Sequence, residues 1–260
     1  MDDNQPVATL RHLPFTTDNG ALARARLGLL VLQSDQTIEA EFRALTNLAD
    51  VETYHARLAN ETAVSSDTLQ MMEAELPRAA ALLPGYLNLS AIGYGCTSGA
   101  TIIGEERVAN ILAAAHPGVP STTPIGAAKA AFKSLGIRRI GLLTPYAPEV
   151  TKAMQQNFVD AGFEIPVVGS FYEDNDIVVG RIDAASILAA TLEIGRSPLV
   201  EGVFVSCTSL RAAEVIPKAE HLLGKPVTAS NHALAWHLLR LAGIADQSTE
   251  RGRLFSVLPG

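Results

Sequence analysis

Short apolar runs alternate with amphipathic stretches along the chain from Arg26 onward. Each run is long enough for a buried strand, and the stretches between them repeat apolar residues at helical spacing, as Ile38, Phe42 and Leu45 do. This order is typical of an α/β fold in which helices cover a parallel sheet. The predicted strands are 27–32, 51–58, 87–94, 139–144, 165–171 and 202–206, and the further predicted helices are 67–83 with a break at Pro77, 100–115, 124–135, 148–161, 182–194, 210–223 and 233–241.

Two short motifs occur twice, in the same order and at nearly the same separation. The pentapeptide Arg-Leu-Gly-Leu-Leu at 26–30 recurs at 139–143 as Arg-Ile-Gly-Leu-Leu, and Cys-Thr-Ser at 96–98 recurs at 207–209. The separations are 113 and 111 residues. Because both matches keep their order and spacing, they indicate two copies of one α/β unit.

The duplication predicts two similar, flavodoxin-like halves with parallel sheets, related by a pseudo-twofold axis, with the active site between them. We expect the first half at 26–123 and the second at 124–229, with the closing segment 230–260 packed on the first half. Residues 1–25 are polar and without periodicity, so they are predicted to form an N-terminal arm.

Composition narrows the class of protein. Apolar residues make up 48% of the 260 residues, enough for a sizeable core. The formal net charge is -7 and no run of five or six like charges occurs, which argues against nucleic acid as a partner. The N-terminus does not resemble a secretory signal, and no apolar run approaches the roughly 18 to 20 residues that cross a bilayer. We therefore expect a cytoplasmic enzyme with no membrane partner.

The two cysteines carry the candidate chemistry. In a reducing compartment they are expected to be free thiols. Both follow predicted strands at the edge where open parallel sheets bind ligands, and each precedes a predicted helix whose start favours anions and lowers a thiol pKa. Cys96 and Cys207 can then meet one substrate from opposite sides, without a metal or cofactor. One route removes and returns a proton; another adds a thiolate to a double bond and eliminates it after rotation.

A competing interpretation is that each cysteine is a small core residue, as free cysteines commonly are. Duplication in equivalent turns flanked by Thr and Ser favours the catalytic interpretation.

At these residues the sequence resembles the aspartate/glutamate racemase superfamily, in the branch of maleate cis-trans isomerases and arylmalonate decarboxylases. The similarity includes both cysteine loops, the segment 27–39, Leu-Leu-Thr-Pro-Tyr at 142–146, Asp-Asn-Asp at 174–176 and Ser-Asn-His-Ala at 230–233. The resemblance implies an isomerase or racemase that acts on a small carboxylic acid and forms a homodimer or larger oligomer.

The resemblance also implies roles for individual residues. Cys96 would be the nucleophile or base and Cys207 the opposing acid. The substrate-binding residues implied are Gln33, Ser34, Asp35, Thr97, Ser98, Tyr146, Asn175 and Thr208.

Asp35 is a departure from the maleate isomerases, which have asparagine in this loop. A carboxylate there would repel a second substrate carboxylate by about 1 kcal/mol or more at close range. The segment Gln-Ser-Asp-Gln-Thr-Ile-Glu at 33–39 resembles that of racemase-like proteins encoded with ectoine-utilisation enzymes. This resemblance implies an amino-acid or ectoine-type substrate.

Two alternatives stay open at this point. One is an arylmalonate-type decarboxylase, for which the resemblance implies a single essential cysteine. The other is a ligand-binding protein on the same scaffold, which would bind substrate without exchanging its α-hydrogen.

Overall fold

Two parallel sheets with identical strand order form the centre of the molecule. The computed structural model describes residues 9–18 and 24–259. Within them, the strands are β1 (Ala25–Leu32), β2 (Val51–Leu58), β3 (Ala91–Gly95), β4 (Ser121–Thr122), β5 (Arg139–Thr144), β6 (Glu164–Ser170), β7 (Gly202–Val205) and β8 (Val227–Ala229). The sheets run β2-β1-β3-β4 and β6-β5-β7-β8, and each pairing is parallel. The predicted fold class, two parallel-sheet α/β units, is confirmed.

Helices connect the strands and cover the sheets. In chain order they are α1 (Ile38–Leu45), α2 (Ser66–Met71), α3 (Leu76–Ala81), α4 (Thr97–Ile103), α5 (Glu105–Ala115), α6 (Pro124–Ser134), α7 (Pro148–Asp160), α8 (Asp176–Val179), α9 (Ala184–Gly195), α10 (Ile216–Leu223) and α11 (Ser230–Leu241). Among the described residues, no helix is both long and apolar enough to cross a membrane.

The repeated pentapeptide occupies equivalent strands, β1 and β5, each second in its sheet. Its glycine has a packing reason in both copies. A Cβ atom at Gly28 would lie 2.9 Å from Leu83 Cδ1, and one at Gly141 would lie 2.4 Å from Ile194 Cγ2. The missing side chain therefore lets covering side chains approach the sheet closely.

Three predicted helices are wrong in their bounds. The predicted helix at 67–83 consists of α2, a 3-10 turn at Met72–Ala74 and α3, with Pro77 in the first turn of α3, where its missing N–H costs nothing. The predicted helix at 100–115 is broken at Gly104, whose φ is +96°. The predicted helix at 210–223 begins only at Ile216, after a 3-10 turn at Ala213–Val215. Apolar periodicity reports burial and is insensitive to such local changes of backbone dihedral angle.

The strand predictions are wrong at one end and incomplete. Residues 87–90 precede β3 and are not part of it, because a 3-10 turn at Gly85–Leu87 is followed by Asn88 with a φ of +54°. The short strands β4 and β8 have no apolar run of their own and were not predicted.

The closing helix lies against the first sheet. α11 packs on β3, α1 and α6.

The division at 26–123 and 124–229 stays a prediction. The strands of the first sheet begin at Ala25, and the strands of the second sheet lie within 124–229. The predicted N-terminal arm falls partly outside the described residues, at 1–8 and 19–23, and residues 9–18 form no helix or strand.

Replacing Gly141 with Ala is expected to lower the free energy of unfolding by about 1–3 kcal/mol, because the added methyl group overpacks the buried contact with Ile194. Urea unfolding followed by circular dichroism measures the change. Adding Ile194→Ala should make the two substitutions non-additive, with Gly141→Ala costing less in that background. Leu222→Ala, at a side chain that is 55% exposed, is the control and should change stability little. A Gly141→Ala cost no larger than the control's would contradict this account.

Candidate active site

A narrow, largely enclosed cavity lies between the two halves, and both cysteines line it. Cys96 directly follows β3, and Cys207 comes two residues after β7; these strands are third in their respective sheets. Equivalent sheet positions therefore contribute one thiol each. The lining residues are Leu32, Asn60, Glu61, Ala63, Val64, Thr68, Leu69, Met72, Cys96, Thr97, Ser98, Tyr146, Asp176, Cys207 and Thr208.

Cys96 caps the N-terminus of α4. Its backbone is extended, with φ -145° and ψ 116°, and its Sγ accepts a hydrogen bond from the Gly99 N–H at 3.2 Å. The Ser98 hydroxyl lies 3.7 Å from the same sulfur. As the first two residues of the helix, Thr97 and Ser98 have amide N–H groups without an acceptor inside the helix. This turn combines a thiol with donors suited to an anion.

Cys207 has a different local structure. Its φ is +105°, a region that L-residues other than glycine rarely adopt. The residues after it form no α-helix until Ile216, so the prediction that Cys207 stands at a helix start is wrong. The strained turn is held by long-range bonds: Asn231 donates to the Thr208 carbonyl at 2.8 Å, and Thr37 donates to the Ser209 carbonyl at 2.8 Å.

Hydrogen bonds join the two cysteine turns, one set through Ser230 and one directly from Thr208. The Ser230 hydroxyl accepts from the Cys207 N–H at 2.9 Å and is bonded to the Thr97 hydroxyl at 2.7 Å. The Thr208 hydroxyl donates to the Gly95 carbonyl at 3.2 Å. The relative placement of the two thiols is therefore fixed by main-chain and hydroxyl groups next to each cysteine.

Burial, more than helix position, sets the ionisation of the thiols. It raises the pKa of Cys96 to about 11, against hydrogen bonds from the Gly99 N–H and the Ser98 hydroxyl that lower it. Burial also raises the pKa of Cys207, and the nearby carboxyl group of Asp176 raises it further. The prediction that a helix start lowers both thiol pKa values is therefore wrong, because the effect of burial is larger.

Tyr146 lines the cavity together with the two thiols. Burial, followed by the influence of Cys207 and then Cys96, raises the pKa of its phenol well above the usual range. The phenol is thus a neutral donor near both sulfur atoms. Its main-chain carbonyl accepts from the Ser170 hydroxyl at 2.6 Å, which fixes the residue after the end of β5.

The structure brings together only part of the predicted binding set. Thr97, Ser98, Tyr146 and Thr208 line the cavity with the cysteines, whereas Gln33, Ser34, Asp35 and Asn175 do not. Gln33 is exposed beside a neighbouring groove, and Ser34 forms hydrogen bonds with Asp176 and Asn60. Asp35 Oδ1 accepts hydrogen bonds from the Thr37 and Ile38 N–H groups. Asn175 Oδ1 caps α8 by accepting hydrogen bonds from the Ile177 and Val178 N–H groups.

Asp176 and Asn60 line the cavity but were not predicted from the sequence. The Asp-Asn-Asp motif at 174–176 predicts Asn175 as the binding residue, whereas in the structure its neighbour Asp176 lines the cavity. Asn60 lies in a polar loop after β2 with no motif around it.

A strap after β2 covers the cavity. Its residues Asn60 to Val64 and the first helix beyond them, α2, contribute lining side chains, including Leu69. The strap is bonded to the second half: the Val64 N–H donates to the Asp174 carbonyl at 2.7 Å, and the Asp176 N–H donates to the Thr62 carbonyl at 2.8 Å.

Among the residues that the structure describes, no group of three or more His, Cys, Asp and Glu side chains is arranged to hold a metal ion.

Comparison with known proteins gives one family match and several relatives. Residues 100–255 match the family model of arylmalonate decarboxylase. The chain is 24% identical to a maleate isomerase of Pseudomonas putida over 245 residues, covering 89% of this chain and 97% of that protein. It is 29% identical to the arylmalonate decarboxylase of Bordetella bronchiseptica over 140 residues, covering 53% and 58% respectively.

A similar solved structure is the Nocardia farcinica maleate cis-trans isomerase, a cysteine-to-serine mutant with a covalently bound succinylcysteine intermediate. The TM-score is 0.82 at 23% identity, with 89% of this chain and 98% of that chain covered. At this identity the likeness supports the fold. Because the family model spans more than half of the sequence, the chain belongs to the arylmalonate decarboxylase family, in the branch of the aspartate/glutamate racemase superfamily that includes the maleate isomerases.

Proposed function

We propose that the protein is an isomerase or racemase that acts on a small carboxylic acid with Cys96 and Cys207. The observation that carries the proposal is that two free cysteines, contributed by equivalent strands of the two sheets, line one cavity. A single buried cysteine has a structural explanation, whereas a matched pair that lines one enclosed pocket supports the proposal of two-sided proton transfer.

Two routes fit this pair. In racemisation, one thiolate removes the α-proton, the electron pair passes into the carboxylate as an enediolate, and the opposing thiol returns a proton on the other face. In cis-trans isomerisation, one thiolate forms a C–S bond to the double bond while the opposing thiol protonates the adjacent carbon. Rotation about the new single bond, removal of that proton and cleavage of the C–S bond then restore the alkene and both sulfur groups.

The substrate carboxylate is proposed to bind at the N-terminus of α4. The Thr97 and Ser98 N–H groups are the first two of that helix, and Tyr146 and Thr208 line the same cavity. Such donors stabilise negative charge as it moves from the α-carbon onto the carboxylate oxygens. All steps proceed through groups of this chain and the substrate, so the proposal requires no metal or organic cofactor.

The relatives support the isomerase proposal. Four of the curated relatives are named maleate isomerase, and one solved neighbour contains a covalent succinylcysteine intermediate. The family model is named for a decarboxylase, which makes decarboxylation of an arylmalonate-type acid the second candidate function. As substrate we propose an amino-acid or ectoine-type derivative in preference to maleate, because buried acidic groups near the cavity disfavour a second carboxylate.

Replacing either cysteine with serine is expected to abolish turnover, by about a thousandfold or more, because a hydroxyl group is far less acidic and less nucleophilic than a thiol. The measurement is a proton NMR screen in deuterated water over maleate, amino diacids, diaminobutyrates and ectoines, which follows α-hydrogen exchange and isomer formation together. Ser248→Ala, far from the cavity, serves as the control for expression and folding.

Full activity in either single variant would contradict the two-cysteine proposal. Carbon dioxide release that requires only Cys207 would identify the decarboxylase instead. Binding of a substrate without exchange or product would identify a ligand-binding protein on this scaffold.

The ligand-free enzyme is expected to hold both thiols protonated at neutral pH. Because burial raises the pKa of Cys96 to about 11 and that of Cys207 in the same direction, the neutral form is favoured until the pH approaches that range. Ultraviolet titration should therefore show no thiolate step below about pH 10 in the folded protein and a step near about 8.5 after unfolding in urea. A step near neutral pH in the folded, ligand-free protein would contradict this account of the cavity.

A further inference from the structure

Two acidic residues line the cavity that holds the two cysteines, and of these Asp176 is buried whereas Glu61 is exposed. Asp176 is only 5% exposed. Its Oδ1 accepts a hydrogen bond from the Ser209 hydroxyl at 2.7 Å, and its Oδ2 accepts one from the Ser34 hydroxyl. Because these serines come from different halves, the carboxyl group is held in a fixed position between them.

The hydrogen bonds that hold Asp176 do not neutralise it. Both partners are uncharged hydroxyl groups, and a carboxylate can accept about four hydrogen bonds, so acceptor capacity remains. Among the described residues, no Lys, Arg or His side chain lines the cavity, and none of the ion pairs includes Asp176. A buried carboxyl group with spare acceptor capacity and no cationic side chain beside it is suited to a cationic group that a ligand supplies.

A second buried carboxyl group lies near Asp176. Asp35 is 2% exposed, and its Oδ2 has no hydrogen-bond partner among the described residues. It does not line the cavity, since its Oδ1 is bonded to the start of α1. The two acidic groups are nevertheless close enough to interact: Asp176 contributes to the raised pKa of Asp35, after the larger effect of burial. Repulsion of a second substrate carboxylate, which the sequence predicts for Asp35, is therefore expected from Asp176, because Asp176 lines the cavity.

We propose that Asp176 determines which substrates the enzyme accepts, by binding a positively charged nitrogen group, an ammonium or amidinium, on a molecule whose other end is a carboxylate. The inference rests on the proposed function, because that function supplies the carboxylate end at Thr97 and Ser98. A dicarboxylate would place its second negative charge against Asp176 and is disfavoured.

The same arrangement links substrate charge to thiol chemistry. Asp176 raises the pKa of both cysteines, in each case in addition to the larger effect of burial on the thiol. A cationic group bound at Asp176 offsets that negative charge, so a thiolate forms more readily when the substrate is in place. A ligand that lacks the cation leaves both thiols protonated.

Three inert ligands of one shape test the proposal directly: succinate, succinamate and β-amidinopropionate. Each has a carboxylate at one end and a planar group at the other that is negative, neutral or positive. Isothermal titration calorimetry on the wild-type protein should give the tightest binding for β-amidinopropionate, by about tenfold or more over succinamate, and the weakest for succinate. This ranking does not depend on whether any variant folds.

Asp176→Asn should weaken β-amidinopropionate by about tenfold or more and bring the three affinities to within a few-fold of one another. Asp174→Asn is the matched control, since it removes the same charge two residues away at an exposed position outside the cavity, and should leave the ranking unchanged. Ser34→Ala keeps the carboxylate and should also keep the order of the three ligands.

The proposal is overturned if the wild-type protein binds succinate as tightly as β-amidinopropionate, if none of the three ligands binds, or if folded Asp176→Asn retains the wild-type ranking. These outcomes are separate from failure of the proposed function. If turnover depends on both cysteines but succinate binds most tightly, only the assignment of Asp176 is contradicted. If the three ligands rank as expected but the cysteine variants remain active, only the two-cysteine chemistry is contradicted.

Discussion

The hydroxyl group of Ser230 joins the two cysteine turns, and the candidate site depends on this junction. This hydroxyl accepts a hydrogen bond from the Cys207 N–H and forms another with the Thr97 hydroxyl, and all three residues are buried. A buried N–H that loses its acceptor costs about 1–3 kcal/mol, so this small contact strongly restrains the main chain. It also comes from α11, the helix that packs against the first sheet, and thereby connects the second cysteine to the opposite half.

Duplication supplies two equivalent strands, but the two thiols are not equivalent. Cys96 caps a regular helix and has an ordinary extended backbone, whereas Cys207 has a positive φ and is followed by irregular chain. Unusual backbone of this kind costs of order 1–3 kcal/mol and persists where the surrounding structure over-determines it. The bonds from Asn231 and Ser230 do this here. The halves therefore share topology while offering different chemical settings to the two sulfur atoms.

The enclosed cavity makes every charge expensive, and this governs the chemistry that the site supports. Both thiols and the Tyr146 phenol have pKa values raised by burial, so the resting cavity is neutral except for its acidic wall. A bound substrate must therefore supply the positive charge that no side chain of the cavity lining provides. Its carboxylate is proposed to bind the N–H groups of Thr97 and Ser98, which are held in place before binding. In the proposed mechanism, proton transfer between sulfur and carbon is then shielded from competition by water.

The α/β class, the duplication and the pair of cysteine turns could be predicted from the amino-acid sequence, because they depend on apolar periodicity and on repeated local motifs. The sequence did not indicate the break at Gly104, the irregular chain after Cys207 or the choice of Asp176 over Asn175 at the cavity wall. Those features are decided by backbone dihedral angles and by contacts with distant residues such as Ser209. Apolar periodicity indicates which positions are buried. Whether a buried polar side chain faces the cavity or caps a helix depends on contacts with residues distant in the sequence.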